Sequence, residues 1–159
     1  MDPREKLFLG AWQLQTWTVQ LTDGSTRAPF GDDPSGTLVY AQSRAMSVNF
    51  MARRRPPLDL AGRMRARCRR VALGTEPNDP SDAKLQSAMA SFAAIAPTYL
   101  GYSGTYSING GQVIHHVETS FLPEWVGTDL VREFEISEHH LELVAGSAGE
   151  QHTLQWQRI

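Results

Sequence analysis

The sequence predicts an all-β protein, a closed barrel of eight antiparallel strands with one helix inserted between the third and fourth strands. Stretches in which apolar and polar residues alternate recur along most of the chain, and such alternation is typical of strands with one buried face. Turn sequences such as Asp23-Gly24 and Asn109-Gly110-Gly111 separate these stretches. An open sheet of eight strands would leave two unpaired edges, which closure into a barrel removes.

The first predicted strand is the longest. It covers residues 9–21, which are rich in aromatic and β-branched residues. Strict alternation places Trp12, Leu14, Thr16 and Thr18 on one face of this strand. The other strands are predicted at residues 36–41, 45–52, 100–109, 112–121, 129–137, 140–145 and 151–159.

A long interruption separates the third predicted strand from the fourth. Residues 53–80 show no sustained period and contain Pro56-Pro57 and Asn78-Asp79-Pro80, so we expect an irregular, arginine-rich loop. A helix is predicted over residues 82–96, before Pro97, with Ser81 or Asp82 as its N-cap. The length of the chain, residues 1–159, is typical of a single domain.

Charge is concentrated within that interruption. Residues 53–70 carry eight arginines against one aspartate, although the whole chain has a net charge of −2. Nucleic-acid-binding surfaces usually combine basic residues with aromatic residues that stack on bases. Because no aromatic residue lies between Phe50 and Phe92, we expect a solvated loop and no nucleic-acid partner.

The lone cysteine and the N-terminal residues indicate the compartment. Cys68 has no second cysteine with which to form a disulfide, which favours the reducing cytoplasm. The N-terminal residues form no signal-peptide core, and no apolar run approaches the length of a membrane span. We therefore expect a cytoplasmic protein without a membrane partner, in which Cys68 is accessible and reactive within the basic loop.

Several motifs resemble those of one family. Gly10-Ala11-Trp12 resembles the Gly-x-Trp motif of lipocalins, and most of the chain is similar to the bacterial and fungal lipocalin-like domain family. The segments that carry this resemblance are 29–31, 36–40, 46–48, 102–106, 113–118, 125–128, 131–134 and 156–158. The resemblance implies an eight-stranded barrel with an interior pocket, and an Arg158 that covers Trp12 through a cation–π contact. Residues 53–80 are longer and more basic than the family pattern.

The hairpin at Asn109 determines which side chains face the barrel interior. Even-numbered residues before this turn share a face with odd-numbered residues after it. His115 is therefore predicted to point inward and His116 outward. The predicted inner face of these two strands carries Tyr102, Tyr106, Ile108, Val113, His115, Val117 and Thr119.

The later strands complete the candidate binding site. The turn near Glu138-His139 places Phe134 opposite Leu143, and Arg132 shares their inner face. A buried guanidinium needs an anionic or carbonyl partner, so Arg132 either lies near an end of the barrel or pairs with an acidic ligand. The candidate ligand-binding residues are Tyr40, Tyr102, Tyr106, His115, Val117, Arg132, Phe134, Leu143 and Trp156.

Two functions fit these residues. The first is binding of a small apolar or aromatic, or acidic, metabolite in the barrel. The second is a cofactor-independent isomerase or cyclase of a polyketide-like secondary metabolite. In that enzyme His115 would be the general acid or base, Tyr106 or Tyr102 a hydrogen-bond donor, and Arg132 would hold an oxyanion.

Other features limit these alternatives. Taken singly, each tyrosine or histidine is most simply a core residue with one hydrogen bond. The chain has no catalytic signature motif, and the neighbouring His115 and His116 face opposite sides, which argues against a shared metal. We expect no metal and no cofactor. The sequence leaves the ligand and the oligomeric state open, with a homodimer as one option.

Overall fold

The structure is a computed structural model. It describes residues 4–58 and 60–159, and it describes Ser147 by its backbone alone. The chain divides into two compact units. The first consists of Met1–Arg53 with Tyr99–Ile159, and the second of Arg54–Thr98.

The first unit is an antiparallel sheet that closes on itself. Its strands are β1 Gly10–Gln20, β2 Thr26–Arg27, β3 Pro34–Tyr40, β4 Ala45–Ala52, β5 Tyr99–Asn109, β6 Gln112–Ser120, β7 Asp129–Ile136, β8 His140–Ser147 and β9 Glu150–Arg158. They are ordered β2-β1-β3-β4-β5-β6-β7-β8-β9, and β1 also pairs with β9. The predicted closed barrel of eight antiparallel strands is therefore present, with the two-residue β2 as an additional strand beside β1.

Strand β1 forms the seam of the barrel. It pairs with β3 on one side, and on the other it pairs with β9 from Trp12↔Arg158 to Gln20↔Gln151. A register shift between Leu14 and Thr16 interrupts this ladder, and an extra residue at such a bulge reverses the facing of the residues that follow. The strand alternation predicted for Thr16 and Thr18 is therefore wrong. Instead, Trp17 packs against the barrel core and Val19 is fully buried.

A short helix, α1 (Glu5–Phe8), leads into β1. Phe8 is fully buried, and its carbonyl accepts a hydrogen bond of 2.9 Å from the indole nitrogen of Trp12. Arg158 lies over the Trp12 ring and donates to the carbonyl oxygens of Leu7 and Leu9. These contacts join α1, β1 and β9 at one place in the barrel, and they include the predicted cation–π contact.

The barrel core is built mainly from aromatic and branched side chains on alternate positions of the strands, which is the pattern expected for one buried face. The buried residues of this cluster are Phe8, Trp12, Leu14, Phe30, Leu38, Tyr40, Met46, Val48, Phe50, Tyr102, Tyr106, Val113, Val117, Leu141, Leu143 and Trp156.

The second unit contains two helices, α2 (Gly62–Ala72) and α3 (Ala83–Ile95), followed by a 3-10 turn at Ala96–Thr98. Both helices follow β4 in the chain. The sequence predicted a single helix, between the third and fourth predicted strands at residues 45–52 and 100–109. The helix predicted over 82–96 corresponds to α3. Its N-cap is Asp82, whose carboxylate accepts hydrogen bonds from the backbone of Lys84 and Leu85.

The prediction of an irregular loop over 53–80 is wrong for α2, although residue 59 of that range lies outside the described residues. Met64, Cys68 and Val71 recur at helical spacing and pack with α3 in a small apolar cluster. The predicted accessibility of Cys68 is also wrong, because its side chain is buried. The Arg67 guanidinium forms ion pairs with Glu76 and Asp82, so part of the basic charge is neutralised within this unit.

Candidate ligand-binding site in the barrel interior

A chain of three buried polar side chains lies inside the barrel. His115 on β6 is 1% exposed, and both of its ring nitrogens are hydrogen-bonded. Its Nε2 lies 2.7 Å from the hydroxyl of Tyr40 on β3, and its Nδ1 lies 2.8 Å from the hydroxyl of Tyr102 on β5. Because three strands contribute to it, this chain is a product of the closed barrel.

Burial and charge determine the protonation of these groups. Burial, followed by the charge of Arg132 and the proximity of His116, lowers the pKa of His115 to about 3. The imidazole is therefore neutral at pH 7. Burial also raises the pKa of Tyr40 and the pKa of Tyr102 above the ordinary value, so both phenols keep their protons.

Arg132 on β7 is the charged residue of this site. Burial raises the pKa of the Tyr102 phenol, and the positive charge of Arg132 opposes this effect. Arg132 also donates a hydrogen bond of 3.0 Å to the carbonyl of Val131. Within the described part of the chain, Arg132 forms no ion pair with a carboxylate.

Aromatic rings surround the polar chain. The ring of Tyr106 lies 4.7 Å from that of Tyr40, measured between centroids, and its hydroxyl is 3.4 Å from the carbonyl of Ala41. Phe8 makes edge contacts with Tyr40 at 5.1 Å and with Phe134 at 4.8 Å. Such contacts favour a rigid, largely apolar wall with few polar groups.

A second aromatic group in the barrel involves residues that sequence reasoning missed. The indole nitrogen of Trp17 donates to Nδ1 of His152 at 3.3 Å, and the Trp17 ring makes edge contacts with Phe30 and Phe50. Trp156 lies beside Phe50, and its buried indole nitrogen has no hydrogen-bond partner. His152 shares its face with Trp156 because the two are four residues apart on one strand, which was the available signal.

The outer face of the same hairpin carries a different arrangement. Nδ1 of His116 donates to the Asp129 carboxylate at 2.6 Å, and its Nε2 lies 2.9 Å from the Ser107 hydroxyl. Its side chain is 39% exposed. The predicted facing of the two neighbouring histidines is therefore confirmed, with His115 inside and His116 outside.

The structure brings together only some of the candidate binding residues. Tyr40, Tyr102 and His115 form one hydrogen-bonded group, and the charge of Arg132 acts on it. The others belong to the barrel core without a hydrogen bond to that group. These are Tyr106, Val117, Phe134, Leu143 and Trp156. Phe8 is an additional residue beside Tyr40, and its place before the first predicted strand gave no indication of this role.

Comparison with known families agrees with the barrel. Residues 9–159 match the lipocalin-like domain family, and the chain belongs to that family. No match was found among curated proteins.

Solved structures of low sequence identity also resemble the chain. A lipocalin-like protein from Bacteroides uniformis is 14% identical with a TM-score of 0.45, and the match covers 96% of this chain and 99% of that one. An uncharacterized protein from Bacteroides eggerthii is 12% identical with a TM-score of 0.44 and the same two coverages. A de novo designed fluorescence-activating β-barrel is 11% identical with a TM-score of 0.42, and the match covers 100% of both chains.

Two further observations concern ions and membranes. Among the described residues, no group of three or more His, Cys, Asp or Glu side chains is arranged to hold a metal ion. In the same part of the chain, no helix combines the length and the apolar character needed to cross a membrane.

Proposed function

We propose that the barrel interior binds a small, largely aromatic or apolar molecule. The observation that carries this proposal is the buried chain of Tyr40, His115 and Tyr102 within an aromatic wall. A concave apolar surface with a few fixed polar groups is the usual composition of a small-molecule site. The apolar wall supplies affinity, and the polar chain orients the ligand.

The same chain favours binding over catalysis. A general base works best when its pKa lies near the operating pH and one of its nitrogens reaches the reacting proton. Both nitrogens of His115 already have tyrosine partners, and its pKa is lowered to about 3. The roles assigned to His115, Tyr106 and Arg132 in an isomerase or cyclase stay predictions, and binding accounts for the geometry more simply.

The proposal is tested with a neutral probe whose emission depends on polarity, 6-propionyl-2-dimethylaminonaphthalene. Titration into the purified protein should give saturable, blue-shifted emission with a stoichiometry of one. His115→Ala should weaken binding roughly tenfold, because it removes the group that holds both phenols in place.

His116→Ala is the matched control, since it changes the neighbouring residue on the outer face and should leave the affinity unchanged. Emission that never saturates, or equal losses in the two variants, would show that the interior is not the binding site.

A further inference from the structure

The hydrogen-bonded chain of Tyr40, His115 and Tyr102 has one more donor proton than its hydrogen bonds use. A neutral histidine carries one N–H, and the phenols of Tyr40 and Tyr102 carry one O–H each. The two hydrogen bonds to His115 use one phenolic proton and the imidazole proton. In either tautomer, the tyrosine that accepts from His115 therefore keeps a hydroxyl proton that this chain leaves without an acceptor.

Arg132 indicates which tyrosine this is. Arg132 lies opposite Val113 on the inner face, and its positive charge acts on the Tyr102 phenol. A phenol near a positive charge is a better proton donor, because the charge stabilises negative charge on its oxygen. Tyr102 thus donates to Nδ1 of His115, and Nε2–H donates to Tyr40. The unused proton belongs to Tyr40, which is 1% exposed.

Two more groups on the inner face have hydrogen-bond donors to spare. The indole nitrogen of Trp156 is buried and unpartnered, and a buried donor without an acceptor is unfavourable. Arg132 has no carboxylate partner within the described residues. Glu150 at the start of β9 shares the face of Trp156, but its carboxylate is already paired with Arg27 at 2.9 Å. Donors therefore exceed acceptors, and the excess charge is positive.

We propose that the ligand is an aromatic carboxylate, whose carboxylate group pairs with Arg132 and accepts the free hydroxyl proton of Tyr40. This inference rests on the proposed function and names the class of ligand for the same site. An anion of this kind supplies an acceptor for Tyr40 and balances the charge of the half-buried Arg132, whereas a neutral hydrocarbon would do neither. The aromatic body of the ligand packs against the rings of Tyr106 and Phe134.

The decisive experiment compares two probes with the same aromatic body, 2-naphthoate and 2-naphthalenemethanol, by isothermal titration calorimetry at pH 7. Wild-type protein should bind the carboxylate at least tenfold more tightly than the alcohol. Arg132→Gln should remove this preference and leave the affinity for the alcohol nearly unchanged. Tyr40→Phe should weaken carboxylate binding several-fold, because it deletes the donor and keeps the ring.

Arg65→Gln is the matched control for charge, since Arg65 lies on α2 and is exposed, and it should preserve the preference. Equal affinity of the wild type for both probes would overturn the inference while the proposed function stands. Binding of neither probe would overturn both. If circular dichroism shows that Arg132→Gln does not fold, Tyr40→Phe decides, and an unchanged preference in that variant contradicts the proposal.

Discussion

The guanidinium of Arg158 lies 4.1 Å from the centroid of the Trp12 ring. Trp12 is fully buried, and Arg158 also donates to the carbonyl of Glu138. The face of the Arg158 guanidinium stacks on Trp12 at the start of β1, while its edge donates hydrogen bonds. This contact fixes the seam at the Gly10 end of β1.

Replacing Trp12 should destabilise the barrel strongly. Trp12→Ala removes a fully buried indole, its hydrogen bond to Phe8 and the surface on which Arg158 stacks. We expect a loss of about 3–5 kcal/mol in the free energy of unfolding, measured by urea denaturation. A midpoint close to that of the wild type would show that the indole does not support this end of the barrel.

Gly10 should resist substitution although it is exposed. Its φ is +120°, and a Cβ at this position would lie 3.0 Å from a guanidinium nitrogen of Arg158. Gly10→Ala should therefore cost about 1–3 kcal/mol. Gly111→Ala is the control, because its φ lies outside the left-handed region and no atom lies within 4 Å of its Cβ position. Equal thermal midpoints for the two variants would contradict this prediction.

The buried His115 should make stability depend on pH in the acid range. Its pKa is lowered from 6.5 to about 3 in the folded state, so between these values the unfolded chain binds a proton that the folded chain excludes. Stability is then complete above pH 6.5 and falls by about 1.4 kcal/mol per pH unit towards pH 3.

The comparison with variants isolates this contribution. His115→Gln should flatten the slope of unfolding free energy against pH between 6.5 and 3, measured by denaturation at several pH values. His116→Gln should keep the wild-type slope. Identical slopes for wild type and His115→Gln would mean that His115 is protonated equally in both states.

Cys68 should react slowly with thiol reagents in the native protein. It is 2% exposed and packs in the apolar cluster between α2 and α3. We expect complete labelling by 5,5′-dithiobis(2-nitrobenzoic acid) only after unfolding in urea. In the double variant Cys68→Ser with Ala66→Cys, the thiol lies on the exposed face of α2 and should react at once. Rapid labelling of native Cys68 would contradict its burial.

Most of the barrel could be predicted because one periodicity governs it. The alternation of apolar residues and the turn sequences place β3 to β9 within about two residues of their observed ends. The bulge in β1 could not be predicted, because one extra residue does not change the apolar composition of the segment. The facing of Trp17 was therefore missed.

Helix α2 was missed for a different reason. Its apolar positions, Met64, Cys68 and Val71, recur at intervals of four and three residues, which is a helical signal. Arginines occupy most positions between them, so the segment reads as a charged loop when composition is given more weight than spacing. The long arginine side chains are compatible with a helix whose polar face is wide.

For the site, the sequence predicted which side chains face the barrel interior but not which of them contact one another. Hairpin parity gave the inward direction of His115 because the two strands are adjacent in sequence. The contact of His115 with Tyr40 joins residues 75 positions apart, and it depends on how the closed barrel brings β3 across to β6. Local sequence patterns do not predict a contact between residues so far apart in the chain.

The seam between β1 and β9 has a consequence for the order in which the barrel strands assemble. Trp12 pairs with Arg158, so the first and the last strands to leave the ribosome are neighbours in the barrel. Until β9 is synthesised, the free edges of β1 and β8 stay open to other chains. Closure is then a late, long-range step, and topologies of this kind fold slowly. The incomplete barrel is thus most prone to aggregation just before β9 joins it.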